Sequence, residues 1–321
     1  QPVPDKVGLA SHSLDSLSLS GLNLLPTEPD WAQGLRDTWE PGEPHGLRRI
    51  DDIEEIARDY DRSRDRPDLD ATSRLSPYLH FGEVSIRQVW HSLHQLELQG
   101  CSTPGTAALR RQLYWRDLIT YLLYQMRRLL SEPLRSEFNA FPWSDDQDLL
   151  RGWQRGRTGY PIVDAGMRQL WTTGWMHNRV RMIVASFLVK DLLIPWQQGA
   201  DWFLDTLVDA DLANNSASWQ WVAGCGTDAA PYFRIFNPVL QGRKFDPDGS
   251  YVRRWVPEIA SLPNAVIHEP WKATALDATG IRLGADYPEP IVDHGAARDE
   301  ALAAYQAIRG SRTSNEAPGK S

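Results

Sequence analysis

Cysteine is almost missing from this chain: Cys101 and Cys225 are the only two among 321 residues. Two cysteines cannot build a disulfide framework or, alone, a zinc site. No metal centre is therefore expected, and a reducing, cytoplasmic setting fits best. Long apolar runs are missing as well. The longest candidates are broken by Arg, Lys or Gly, so no segment reads as a membrane span. No basic start followed by an apolar stretch marks a signal peptide, and an opening on Gln1 rather than Met reads as a fragment or a processed chain. Alternating strands with hairpin signals are not found, nor is an internal repeat. Excess positive charge is lacking too: the formal net charge of −8, taken alone, argues against nucleic acid.

What is present changes that picture. Between residues 106 and 260 there are 18 Lys and Arg against 16 Asp and Glu, a net of +2 that leaves −10 for the rest. An acidic chain can thus still offer a phosphate backbone a basic groove. Hydrophobic residues make up 41%, enough for a real core. Tryptophan is abundant, with 14 residues that do not cluster in one repeat. Core packing and surface anchoring explain most of them singly, but the surplus raises the question of electron transfer or base stacking.

Periodicity predicts an all-α fold, one irregular helical domain over 31–290. It is preceded by a linker over 1–30 and followed over 291–321 by a C-terminal helix and a flexible tail. Helices are expected within 31–66, from Ser76-Pro77, over Glu83–Leu98, Ala107–Leu130, Trp202–Ala210 and Ala296–Ile308. A further pair within 162–190 breaks at Thr172-Thr173-Gly174. Gly224–Asp248 reads as loops and Gly310–Ser321 as disordered.

Three clusters can carry chemistry. Thr72-Ser73-Arg74-Leu75-Ser76 puts hydroxyls and backbone amides at a helix start, which suits a phosphate; taken alone it is also an ordinary cap. In Trp175–Met182, Asn178, Arg181 and Met182 share a helix face, and Asp209 or Asp211 can supply a buried Arg181 with its anion. His177 reads as a structural histidine. Asn214-Asn215-Ser216-Ala217-Ser218-Trp219-Gln220-Trp221 sets amides beside indoles, an arrangement suited to a flavin and a stacked base.

Four stretches then carry a resemblance: Thr158–Arg168, Gly174–Arg179, Ala185–Asp191 and Tyr232–Pro238. They resemble signatures of the photolyase/cryptochrome family, and the likeness runs from about Tyr60 to about Trp271, closest to class I cyclobutane-dimer photolyases. The resemblance implies an all-α domain holding FAD, active when fully reduced. Blue light drives an electron into a pyrimidine dimer flipped out of UV-damaged DNA. A monomer working in the cytoplasm on nucleoid DNA is expected. The resemblance further implies an N-terminal α/β antenna domain lying outside this sequence, with a chromophore the residues do not specify.

Position by position, the resemblance gives Tyr60 and Thr72, Ser73, Arg74, Leu75 and Ser76 to the FAD phosphates and ribityl chain. It pairs Arg181 with Asp209 near the flavin, sets Asp211 beside the ring or ribityl chain, and turns Asn215 toward flavin N5. Trp115 and Trp221 resemble the walls around the dimer, with Asn178 and Met182 contacting flavin and lesion. Arg64, Arg116, Arg179 and Gln241 resemble DNA-strand contacts, and Trp219, Trp196 and Trp143 the relay that reduces the flavin. Gln112 departs from the glutamate usual in class I members. An amide both donates and accepts, and weaker dimer repair is the expectation. Gln also occurs there in (6-4) photolyases, but those carry histidine where this chain has Asn178. Leu109 stands where some members have a flavin-contacting tryptophan. The rival readings are a cryptochrome that signals without repair, a (6-4) photolyase, and a helical DNA- or protein-binding domain that has lost its flavin.

Overall fold

A computed structural model describes residues 16–26, 28–227, 233–273 and 280–315. The chain divides into two units, Gln1–Trp39 and Glu40–Ser321. In the first, Ser18 caps a 3₁₀ turn at Leu19–Leu22, and helix α1 spans Gln33–Thr38. Most of the expected 1–30 linker lies outside the described residues.

The second unit is helical. Its helices are α2 (Glu43–Asp51), α3 (Ile53–Ser63), α4 (Ser76–His80), α5 (Ile86–Leu98), α6 (Pro104–Gln125), α7 (Gln147–Gln154) and α8 (Pro161–Thr173). They continue through α9 (Asn178–Ser186), α10 (Trp196–Thr206), α11 (Leu212–Ala223), α12 (Pro238–Phe245), α13 (Ser250–Trp255) and α14 (His294–Asn315). Among the described residues there is no strand, only an isolated bridge between Leu283 and Tyr287. None of the described helices is long and apolar enough to cross a membrane, and no cluster of described residues could hold a metal ion.

The sequence explains most boundaries. Thr103 and Thr106 cap α6 reciprocally, and Pro104 takes the first helical position, where its missing N–H costs nothing. α6 ends at Met126, which leaves helical geometry (φ −132°, ψ 77°), so the expected run to Leu130 finishes as a 3₁₀ turn. α8 stops on Gly174 in the left-handed region at φ 65°, close to the expected break. Three expectations need correction. Gly224–Asp248 contains helix α12, started by Asn237 accepting from the Leu240 amide with Pro238 next. The helix expected at Trp202–Ala210 begins at Trp196 and ends at Thr206. The last helix likewise runs through Gly310 to Asn315, and 316–321 lie outside the described residues.

Two contacts fix how the layers meet. α6 crosses α3 where Gly105 faces the Ala57 carbonyl oxygen so closely that a Cβ would overlap it, and Thr103 Oγ1 donates to that oxygen at 3.2 Å. α11 packs against α6, α9 and α10, so whatever it carries sits at the junction of three helices. Gln220, fully buried on α11, donates to the Leu129 and Glu132 carbonyls and accepts from the Leu134 amide, tying the turn after α6 to this junction.

Candidate functional site

The loop before α4 presents its backbone. Arg74 is left-handed at φ 48° and Leu75 is right-handed (φ −78°, ψ −12°), an alternation that turns successive N–H groups to one side. Ser73 Oγ accepts from the Leu75 amide at 3.4 Å. The amides of Thr72, Ser73, Arg74 and Ser76 have no acceptor among the described residues. This is a concave set of donors that fits an anionic group. The Arg74 guanidinium lies 5.1 Å over Trp175, its Nε 3.1 Å from Asp70. Tyr60, at the end of α3, is half-buried beneath the Arg64 guanidinium at 5.7 Å; burial raises its phenol above the usual range.

The pairing expected between α9 and the 207–211 turn is present. Arg181 donates from Nη2 to both oxygens of Asp209 at 3.0 and 2.8 Å, and from Nε to the Met176 carbonyl at 2.7 Å. Asp209 is only 3% exposed, and that guanidinium is its partner. Two residues on, Asp211 caps α11, accepting from the Asn214 amide at 2.8 Å and side chain at 2.7 Å. Arg116 of α6 reaches the same carboxylate at 3.2 Å. Burial alone would raise the Asp211 carboxyl; the Asn214 bonds, Arg116 and His80 more than offset it and hold it below the usual range. Arg116, expected only against DNA, is thus a tie between α6 and α11.

On α11, Asn215 Nδ2 donates to the Ala200 carbonyl at 2.8 Å, which fixes the amide and leaves its Oδ1 as the free acceptor. Trp219 follows one turn later, 2% exposed, with Phe203 at 5.1 Å and Trp153 at 6.2 Å. Its ring fills the space beside Gly199 of α10, where a Cβ would overlap it. Trp196 opens α10 at 1% exposure, and Trp143 is half-buried with Phe141 at 4.4 Å. The segment carrying Trp143 is held by Ser144 donating to the Leu193 carbonyl at 2.8 Å, three residues before Trp196.

A cleft of about 390 Å³ opens between α3 and α6, lined by Asp61, Arg64, Ala108, Arg111, Gln112 and Trp115. Gln112 donates to the Ala108 carbonyl at 3.2 Å, and Trp115 is 42% exposed. Leu109 is buried, facing the core rather than the cleft. Trp221 lines a second, small cavity with Ser186, Lys190 and Phe236. Asn178 is exposed, its Nδ2 3.9 Å from Met182 Sδ. Arg179 donates to Asp65 at 2.8 Å, and Gln241 is half-buried on α12. Of the four signature stretches, Tyr232 alone lies outside the described residues. Sequence reasoning missed Asp65 and Arg111, each adjacent to a residue it chose. It also missed the Ala200 carbonyl, for which no side chain could speak.

His177 Nδ1 caps α9 by accepting from the Arg179 amide at 3.2 Å. Burial pushes its imidazole down to about 4, against 6.5 in the unfolded chain. The unfolded state therefore binds the extra proton between those values, so stability falls as pH drops through that window. The loss from this residue is about 2 kcal/mol between pH 7 and pH 5. His177→Asn keeps a good cap and removes the titration. Urea unfolding at the two pH values should differ by that much less in the variant; an unchanged difference would refute the assignment.

The family profile described as the FAD binding domain of DNA photolyase matches residues 109–307. A deoxyribodipyrimidine photo-lyase of Agrobacterium fabrum is 53% identical over 297 residues, 92% of this chain and 62% of that protein. Cryptochrome-2 of Arabidopsis thaliana is 42% identical over 83% of this chain and 45% of its own length. The crystal structure of a bacterial class III photolyase from Agrobacterium tumefaciens superposes with a TM-score of 0.89 at 51% identity, covering 94% of this chain and 64% of that one. The chain thus spans less than two thirds of the relatives it matches. On the extent of that profile and the shared helical fold, the chain belongs to the FAD-binding domain family of the DNA photolyases.

Proposed function

We propose that this chain holds FAD and repairs cyclobutane pyrimidine dimers in DNA under blue light. The observation that carries the reading is the content of one helix: α11, packed on α6, α9 and α10, is capped by Asp211 and bears Asn215, Trp219 and Trp221 within three turns. The residues present fit FAD. The amides of Thr72–Ser76 suit its pyrophosphate, with Tyr60 beside them. The Arg181–Asp209 pair and Asp211 supply the fixed charges of a flavin edge. Asn215 Oδ1, oriented by Ala200, is an acceptor for the N5 hydrogen of the reduced ring. Bound and reduced, FAD supplies the light-driven electron that splits the cyclobutane ring.

The chain's own residues do the rest. Trp115 and Trp221 grip the flipped dimer, while Gln112, Asn178 and Met182 meet its bases. Gln112 can donate to a base carbonyl where a carboxylate only accepts. Arg64, Arg116, Arg179 and Gln241 follow the strand, and Trp219, Trp196 and Trp143 carry electrons inward from the surface. The 51% identity to a class III photolyase supports that class over class I. A monomeric, cytoplasmic protein on damaged DNA fits this reading. Gln112 and the likeness to plant cryptochromes favour a second reading, a photoreceptor without repair.

Blue-light irradiation of the purified, photoreduced chain with thymine-dimer DNA, beside a dark control, tests the proposal. Light-dependent loss of dimers is expected. Flavin that photoreduces while dimers persist would transfer the argument to the cryptochrome reading. Trp219→Phe should abolish photoreduction yet leave repair by dithionite-reduced protein intact; photoreduction at the parental rate would remove Trp219 from the relay.

A further inference from the structure

Asp65 stands between two arginines that the DNA reading assigns to the strand. Arg179, from the start of α9, donates to Asp65 Oδ2 at 2.8 Å, and Arg64 Nε lies 3.9 Å from Oδ1. Arg179 is held further by the face of Phe245, with its guanidinium 4.4 Å from the ring centroid. Its Nε is buried without a hydrogen-bond partner. All three side chains reach solvent, at 29% for Arg64, 33% for Asp65 and 16% for Arg179. One carboxylate therefore occupies, from the protein side, the position a backbone phosphate would take against this pair. The neighbouring Arg66 has its own partner in Asp68 at 2.7 Å and does not relieve Asp65.

We infer that Asp65 is a specificity-determining residue, an internal stand-in for a DNA phosphate that holds down sequence-independent binding by competing for Arg64 and Arg179. The inference rests on the DNA reading above. A strand phosphate approaching this pair must displace the carboxylate or share its cations, so undamaged DNA gains one cation fewer than the arginines present suggest. The competing charge lies well within a Debye length of about 8 Å, so salt cannot screen it from an incoming phosphate. Releasing it adds about one phosphate contact, and each such contact contributes about 0.9 to the salt slope of binding to duplex DNA.

The test measures anisotropy of a fluorescein-labelled, lesion-free 20-base-pair duplex, titrated in the dark with the flavin-loaded chain from 50 to 200 mM salt. Asp65→Asn should bind about three- to tenfold more tightly at 100 mM, with a log–log salt slope steeper by about 1. Asp65→Glu, which keeps the charge, should bind as the parent does. Asp65→Asn/Arg179→Gln, which restores the local charge, should return the slope to the parental value. If Asp65 instead only braces Arg179 for its phosphate, Asp65→Asn binds more weakly with a shallower slope, and the inference is overturned. A parental chain whose binding shows no salt dependence would overturn the DNA reading itself, a result separable from the first by the parental slope alone.

Discussion

The Arg181→Ala protein is expected to lose about 3–5 kcal/mol of stability and its flavin with it. Asp209 is nearly sealed from water, and Arg181 is the cation that accompanies it, through two bonds to its oxygens and a third to the Met176 carbonyl. Truncation removes all three bonds and leaves a carboxylate buried among apolar groups, which is the costly case; removing both charges together costs less. Asp209 sits in the turn that delivers Asp211 and α11, anchored by the Val208 amide donating to the Gly174 carbonyl at 2.8 Å. A shift there moves Asn215 and Trp219 together. Arg181→Lys should recover part of the stability, because a point charge cannot reproduce the forked geometry. Urea unfolding and flavin absorbance after gel filtration check both effects. A loss under about 1 kcal/mol with flavin retained would show that Asp209 does not depend on this partner.

Asp164→Ala is expected to cost a similar amount, about 3–5 kcal/mol, through a network that contains none of the residues proposed to hold FAD. The carboxylate is fully buried in the first turn of α8. It accepts from the Thr158 amide and hydroxyl at 2.7 Å each, from the Gly159 amide at 3.1 Å and from Tyr287 at 2.5 Å. Burial raises its carboxyl above the usual range despite those donors. Deletion strands four donors without water to replace the oxygen acceptors. It also frees the segment around Glu289, which packs so closely on Gly159 (φ 79°) that a side chain there would overlap it. Tyr287→Phe should cost about 1 kcal/mol, since it removes one bond and strands only one acceptor site. Denaturant midpoints settle the comparison, and equal losses for the two variants would refute the network.

Asp164 bears on how much was legible in the sequence. The stretch Thr158–Arg168 was one of the four that carried the resemblance, yet its residues build a docking corner: Asp164 gathers donors, and Arg168 pairs with Glu258 at 2.7 and 2.8 Å. The stretch identified the fold rather than the chemistry. The all-α class was readable because α3, α5 and α6 bury one face each, so their apolar residues recur at helical spacing. α11 escaped that reading because it is surrounded. With helices on three sides and small polar residues such as Ser216 buried, it has no apolar stripe to count. Its Asp211 cap was the available signal. α10 begins six residues before the expected start, with Trp196 in the first helical position after Pro195, and Gly199 within it admits the Trp219 ring. Charge placed among apolar residues offered Asp209 or Asp211 as the partner of Arg181, and the resemblance chose Asp209. Arg116–Asp211 was not legible, since the partners are 95 residues apart and each already had an expected role.

The final helix has a consequence for how the protein is made. α14 contributes Ala301, Ala304, Tyr305 and Ile308 to the same core as Phe138 and Trp153, and it packs on the turn that follows α9. Tyr305 stacks on Phe233 at 4.5 Å and lies 6.0 Å from Phe138, a residue translated 167 positions earlier. During synthesis the central helices must therefore wait, with an apolar seam uncovered, until the ribosome has released residues through Ile308. That interval, in which collapsed but incomplete chains can adhere to one another, is when a chaperone has most to offer this domain.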